Sequence, residues 1–216
     1  MADRVILGFD TSGPYCSTAV FAGGDVIAAR TEDMVKGQAE ALMPYIEGTL
    51  ADAGLSYGDL TQIGVGVGPG NFTGIRVAVS AARGLSLSLG IPATGVTLFD
   101  ALTVAAPLPI LATLQASRND VYVSEIHHNW RSEPQQMAVE DIATPKAGNC
   151  VCIGHRSHDV AGHLGLTAQR ATYAPASAIV RYVAAKKDIP EERPTPYYLR
   201  PADAAPPRDP APVILD

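Results

Sequence analysis

Three short apolar or alternating runs open the chain, at residues 5–9, 17–21 and 26–31, parted by clusters of Gly, Pro, Asp and Ser. That punctuation predicts a three-stranded antiparallel meander. Apolar residues then recur at Ala39, Leu42, Met43, Ile46, Leu50 and Ala53. This spacing of three and four marks one helical face, so a helix is predicted over 38–54, with Gly54 closing it. Pro44 lies inside that helix and predicts a kink or a later start, because its ring removes a hydrogen bond and crowds the preceding turn. Residues 63–67 read as a buried, glycine-rich strand that turns through Gly68-Pro69-Gly70-Asn71 into a helix over 72–89. A strand over 91–96 and a helix over 98–105 complete one α/β layer.

The second half starts again. Residues 109–114 and 120–126 predict a hairpin, 136–139 a third strand, 150–154 a further strand and 176–186 an amphipathic helix. Meander followed by α/β elements, repeated and then curtailed, predicts two related subdomains over 1–105 and 106–189. From 190 to 216 the chain is rich in proline and predicts an extended tail, ordered only where it docks.

Composition narrows the function. Sixteen basic and twenty-two acidic residues leave a net charge of -6, and only 18% of positions are charged. That argues against a protein holding nucleic acid by phosphate neutralisation alone. A surface so poor in charge is suited to a partner that buries part of it. Three cysteines make no disulfide framework, and neither a leader nor a membrane span is expected, so the reading is a cytoplasmic protein.

Candidate chemistry is sparse. Asp10-Thr11-Ser12 follows the first strand, where a carboxylate and two hydroxyls suit a metal-bound phosphate; an ordinary Asx or Ser/Thr turn uses the same residues, and both readings stand here. The glycines at 64, 66, 68 and 70 match neither a phosphate-loop lysine motif nor a dinucleotide fingerprint, and are read as tight turning and close packing. Cys150 and Cys152 share one strand face and read as core. His127, His128, His155, His158 and His163 read as loop or surface histidines, with no metal site expected. No glycine-flanked serine elbow supports a hydrolase. The helix over 72–89 says more: Gly74, Ala78, Ala81, Ala82 and Gly84 form a small-residue side, while Arg76, Ser80 and Arg83 form a polar stripe. One side is expected to meet the sheet and the other a second chain, together with helix 38–54.

The segment from Gly68-Pro69-Gly70-Asn71-Phe72-Thr73-Gly74-Ile75-Arg76-Val77 to Gly84-Leu85 and on to Gly95-Val96 resembles the signature of the bacterial TsaB (YeaZ) family. Asp10-Thr11-Ser12 with Cys16-Ser17, Glu40-x-Leu42-x-Pro44 and Pro196-x-Tyr198-Leu199-Arg200 agree with it. The resemblance implies an actin-like ATPase (ASKHA, ribonuclease H-like) fold of two subdomains, the second degenerate. It also implies a non-catalytic subunit that supports TsaD, with TsaE, in transferring a threonylcarbamoyl group to N6 of adenosine in tRNA. A TsaC-type enzyme acts upstream, tRNA is met through the complex, and the chain pairs with itself when alone. No cofactor is expected within the chain; ATP or ADP has a place only at the heterodimer junction. Asp10, Thr11 and Ser12 become a vestigial phosphate loop, and the family's older glycoprotease label finds no catalytic residues. Where family members often have His-Ser-Glu, this chain has Gln38-Ala39-Glu40, and residues 34–54 lack the two histidines by which the catalytic paralogue holds its metal. The expected partner interface is Leu42, Met43, Tyr45 and Ile46 with Phe72, Arg76, Val77, Ser80 and Arg83, and bulk at Ala78 or Ala81 is expected to block pairing without unfolding. The competing reading is an independent small-molecule kinase or ATPase of actin-like fold that uses Asp10, Thr11 and Ser12.

Overall fold

The computed structural model describes residues 4–117, 119–186, 188 and 192–199. Strands β1 (Ile6–Asp10), β2 (Tyr15–Ala22) and β3 (Asp25–Asp33) form the expected meander. Helix α1 (Gln38–Asp52) leads to β4 (Gln62–Gly66), α2 (Phe72–Leu89), β5 (Ala93–Val96) and α3 (Leu98–Leu102). Strand β4 joins β1 in parallel and β5 joins β4 in parallel, giving the sheet order β3-β2-β1-β4-β5. The second sheet holds β6 (Ile110–Gln115), β7 (Val121–Ile126), β8 (Gln135–Met137), β9 (Val151–Gly154) and β10 (Thr167–Gln169), in the order β10-β9-β6-β7-β8. Helix α4 (Ser157–Leu164) links β9 to β10, and α5 (Pro175–Ala185) follows.

Helix α1 starts at Gln38 and runs on through Pro44, so the late start does not occur; Pro44 sits on the exposed side of the helix. Gly54, at φ +67, ends the helix, with Leu55 N–H donating to the Leu50 carbonyl in a Schellman closure. At the other end of the layer, the Asn71 side chain accepts from Gly74 N–H and fixes the start of α2.

Several expectations shift. Helix α3 stops at Leu102 instead of 105, and the third strand of the second half lies at Gln135–Met137. Helix α4 and strand β10 were not foreseen, because Ser157–Leu164 has few apolar positions and contains Gly162. His158 and His163 therefore lie on a helix and not in a loop. The division at 105/106 separates the two sheets in sequence but not the layers in space. Helices α1 and α2 cover one face of the first sheet around Leu7, Phe9, Ile63 and Val65, while α5, from the end of the chain, covers the other through Ile179, Val180 and Val183. A Cβ on Gly8 or Gly64 would strike Val180 or Ile179, so both glycines are there to let α5 close on the sheet. Conversely, Leu98 and Phe99 of α3 pack into the second sheet. Of the proline-rich tail, residues 192–199 are described; residues 190, 191 and 200–216 lie outside the described residues.

Candidate functional site

A cleft of about 800 Å³ opens between the β1–β2 turn, the β4–α2 loop, the β6–β7 turn and the segment 197–199. Asp10 ends β1 beneath it and is fully buried, as are Thr11 and Ser12. The Asp10 carboxylate accepts from Ser12 N–H at 3.2 Å, Ser12 Oγ at 3.0 Å and the Tyr15 hydroxyl at 2.6 Å. Burial pushes its pKa up, against the pull of those donors. Tyr15 in turn is held well above its ordinary value by burial and by the Asp10 charge. Thr11 Oγ1 donates to the Gly74 carbonyl at 2.7 Å, and Asn71 N–H donates to the Ser12 carbonyl at 2.6 Å. Gly74 has to be glycine here: a Cβ would sit 1.9 Å from the Thr11 oxygen.

An actin-like fold implies a metal-bound nucleotide phosphate at this turn, and the residues present do not fit one. Asp10 is turned inward onto its own loop, the Thr11 hydroxyl is spent on Gly74, and Asn71 takes an amide at the α2 N-terminus that a phosphate would use. Among the described residues no group of three or more His, Cys, Asp and Glu is placed to hold a metal. Burial pushes the thiols of Cys16 and Cys152 up to about 11 and raises Cys150 as well, the opposite of an activated nucleophile. His127 pairs with Glu125 at 2.7 Å and sets its ring edge against Trp130.

The residues expected at a partner surface divide. Leu42 and Ile46 are 1% and 0% exposed and belong to the chain's own core, so they offer no surface, a correction to the expected interface. The periodicity that picked them out is that of the sheet-facing stripe. Ala78, also fully buried, faces the same core, so bulk there would disrupt folding and not merely pairing; Ala81 is half-buried against it. Met43, Arg76, Ser80 and Arg83 are exposed, while Tyr45, Phe72 and Val77 are half-buried; the Tyr45 hydroxyl bonds Glu32. The most exposed large apolar residues among those described, Val35 (83%) and Leu87 (82%), lie outside the residues expected at that surface. Leu87 was legible, since it falls off the 75, 78, 79, 82 stripe of α2.

Residues 192–199 form an extended strap over α2 and the ends of β4 and β5. Tyr197 N–H donates to the Val67 carbonyl at 2.8 Å, Arg83 Nε to the Pro194 carbonyl at 2.8 Å and Arg76 Nε to the Tyr198 hydroxyl at 3.2 Å. The Arg76 guanidinium lies 3.8 Å over the Phe72 ring, which is 4.9 Å from that of Tyr198. Pro196, Tyr198 and Leu199 were visible in the sequence as a motif, but not that they dock on α2.

Two sheets of matching order with a cleft between them define an actin-like α/β protein. The fold recurs in component A of (R)-2-hydroxyglutaryl-CoA dehydratase from Acidaminococcus fermentans, at TM-score 0.54 and 11% identity over 84% of this chain and 99% of that one. It recurs more closely in a Pseudomonas aeruginosa protein described as similar to peptidase YeaZ, at TM-score 0.75 and 24% identity over 91% of this chain and 100% of that one. The family described as TsaD: tRNA N6-adenosine threonylcarbamoyltransferase matches residues 31–151, more than half of the chain. The tRNA threonylcarbamoyladenosine biosynthesis protein TsaB of Buchnera aphidicola (Schizaphis graminum) is 32% identical over 145 residues, covering 63% of this chain and 69% of that protein. The chain belongs to the TsaB (YeaZ) family. It spans 56% to 69% of the length of several curated relatives that it matches.

Proposed function

We propose that this chain is an accessory, non-catalytic subunit in the synthesis of N6-threonylcarbamoyladenosine (t6A) in tRNA, binding a TsaD-type transferase together with TsaE. The relatives' names supply the pathway. The observation that carries the subunit role is the contrast between a reaction centre folded shut on Asp10 and a helix that keeps Arg76, Ser80, Arg83 and Leu87 in solvent. A TsaC-type enzyme supplies threonylcarbamoyl-AMP, and the acidic chain meets tRNA through the complex. Since the Asp10 turn does not accommodate a metal-bound phosphate, ATP or ADP belongs at the junction with the transferase. Without that subunit the same face pairs two copies of this chain. No helix among the described residues is long and apolar enough to cross a membrane, in keeping with a cytoplasmic reading.

The test is reconstitution. Co-expressed with its cognate TsaD-type subunit, the chain is expected to co-elute with it on size exclusion, and threonylcarbamoyl transfer from threonylcarbamoyl-AMP to tRNA is expected to require both. ATP turnover by the purified chain alone, lost in Asp10→Ala, would overturn this in favour of a free-standing kinase or ATPase.

A further inference from the structure

Helix α2 carries two charged residues, Arg76 and Arg83, and no acid. They are seven residues apart, hence on one face and about 10 Å from each other along the axis. Each spends only its Nε on the strap, one on Tyr198 and one on Pro194. The terminal amino groups, four N–H donors on each guanidinium, have no hydrogen bond or ion pair among the described residues. A free arginine samples many rotamers, and fixing it costs entropy when it binds. Here that freedom is reduced: Nε is tied on each, and the Arg76 guanidinium lies over the Phe72 ring, itself against Tyr198.

The strap's seat is built into the fold. Gly68, at φ +103, has no room for a Cβ beside the Tyr197 carbonyl, 2.9 Å away, and a Cβ at Gly95 would press within 3.4 Å of Pro194. Pro194 is buried, and Leu199 packs on the core of the second sheet. The strap thus belongs to the folded molecule.

We propose that residues 194–198 are positioning residues of the partner surface: they hold Arg76 and Arg83 as two outward guanidinium forks that take carboxylates on the partner transferase, about two helical turns apart. This rests on the subunit reading above and adds the chemistry of the contact. A carboxylate pairs with such a fork through two parallel hydrogen bonds. Nucleic acid phosphate is disfavoured as the occupant, because the adjacent α1 exposes Glu40 and Glu47 and the chain carries a net charge of -6.

The test uses the full chain, its R76Q/R83Q double variant and Y198F, each titrated against the cognate TsaD-type subunit at low salt and at ~0.5 M salt. All three should melt alike, since the substituted groups are exposed. At low salt the double variant should bind at least ~30-fold more weakly than the wild type, and its affinity should hardly respond to salt. Y198F keeps the ring and loses only the acceptor for Arg76, so it should bind ~3-fold more weakly with its salt response kept. Binding by R76Q/R83Q within twofold of wild type, with the wild-type salt response, overturns the proposal and leaves the subunit reading intact. So does a defect confined to self-association, or one confined to direct tRNA binding. No binding by the wild type overturns both readings.

Discussion

The two halves of the molecule are the same sheet built twice and finished differently. β1 to β5 and β6 to β10 follow one connectivity: three antiparallel strands, then a fourth parallel to the first and a fifth parallel to the fourth. Where the first half places the fifteen-residue α1, the second has a 3-10 turn at Val139–Asp141; where the first has the eighteen-residue α2, the second has the eight-residue α4. The extra helical surface in the first half is more than its sheet requires, since residues such as Met43, Arg83 and Leu87 remain in solvent. The turns after the first strands diverge too. Asp10 in the first is closed on itself, and in the second Asp120 accepts from Gln136 at 2.8 Å. The frame of the two halves is alike, and the carboxylate beside each of these turns serves an internal hydrogen bond.

The largest way to probe the difference is to thin the core under each outer helix. Leu42→Ala, on the buried face of α1, is expected to cost about 2–5 kcal/mol, and Val160→Ala, on the buried face of α4, about 1–3 kcal/mol, read from urea midpoints. Equal losses would mean that the two outer layers weigh the same despite their sizes.

Each half also buries a carboxylate, and the two should respond to pH in opposite directions. Glu125 receives the Ala147 and Lys146 amides and the His127 ring; burial alone would raise it, but those donors bring it below 4.5. Its contribution is present above that ordinary value and is lost as the pH falls through the lowered one. Asp10 is raised, so its contribution is full below 3.8 and declines as the pH rises through the folded value. Glu125→Gln should therefore lose about 1–2 kcal/mol at neutral pH, less as the solution is acidified. Asp10→Asn should flatten the fall in stability as the pH rises from the ordinary carboxylate value of 3.8. Denaturation midpoints from pH 3 to 7 decide; the same slope in both variants would contradict the geometry. The smallest effect belongs to the outward face: Leu87→Ser should leave stability within about 0.5 kcal/mol, and a larger loss would mean that Leu87 packs within the chain.

Much of this was legible in the sequence. The three-and-four spacing over 38–54 and 72–89, the alternation in the meander and the hairpin, and the glycines and Asn71 at the helix ends are local signals, and they set the order and type of every described strand and α-helix but α4 and β10. What periodicity cannot report is what covers an apolar face. Leu42 and Ile46 read equally well as core or as interface until β2 and β3 are placed beneath their helix. The exchange of α3 and α5 between the sheets, the closure of Asp10 by Tyr15, and the strap that reaches Arg83 and Arg76 across 111 and 122 residues were decided by the tertiary structure alone. Each depends on chain segments meeting in space, and the free energy of such meetings is written in no single stretch of sequence.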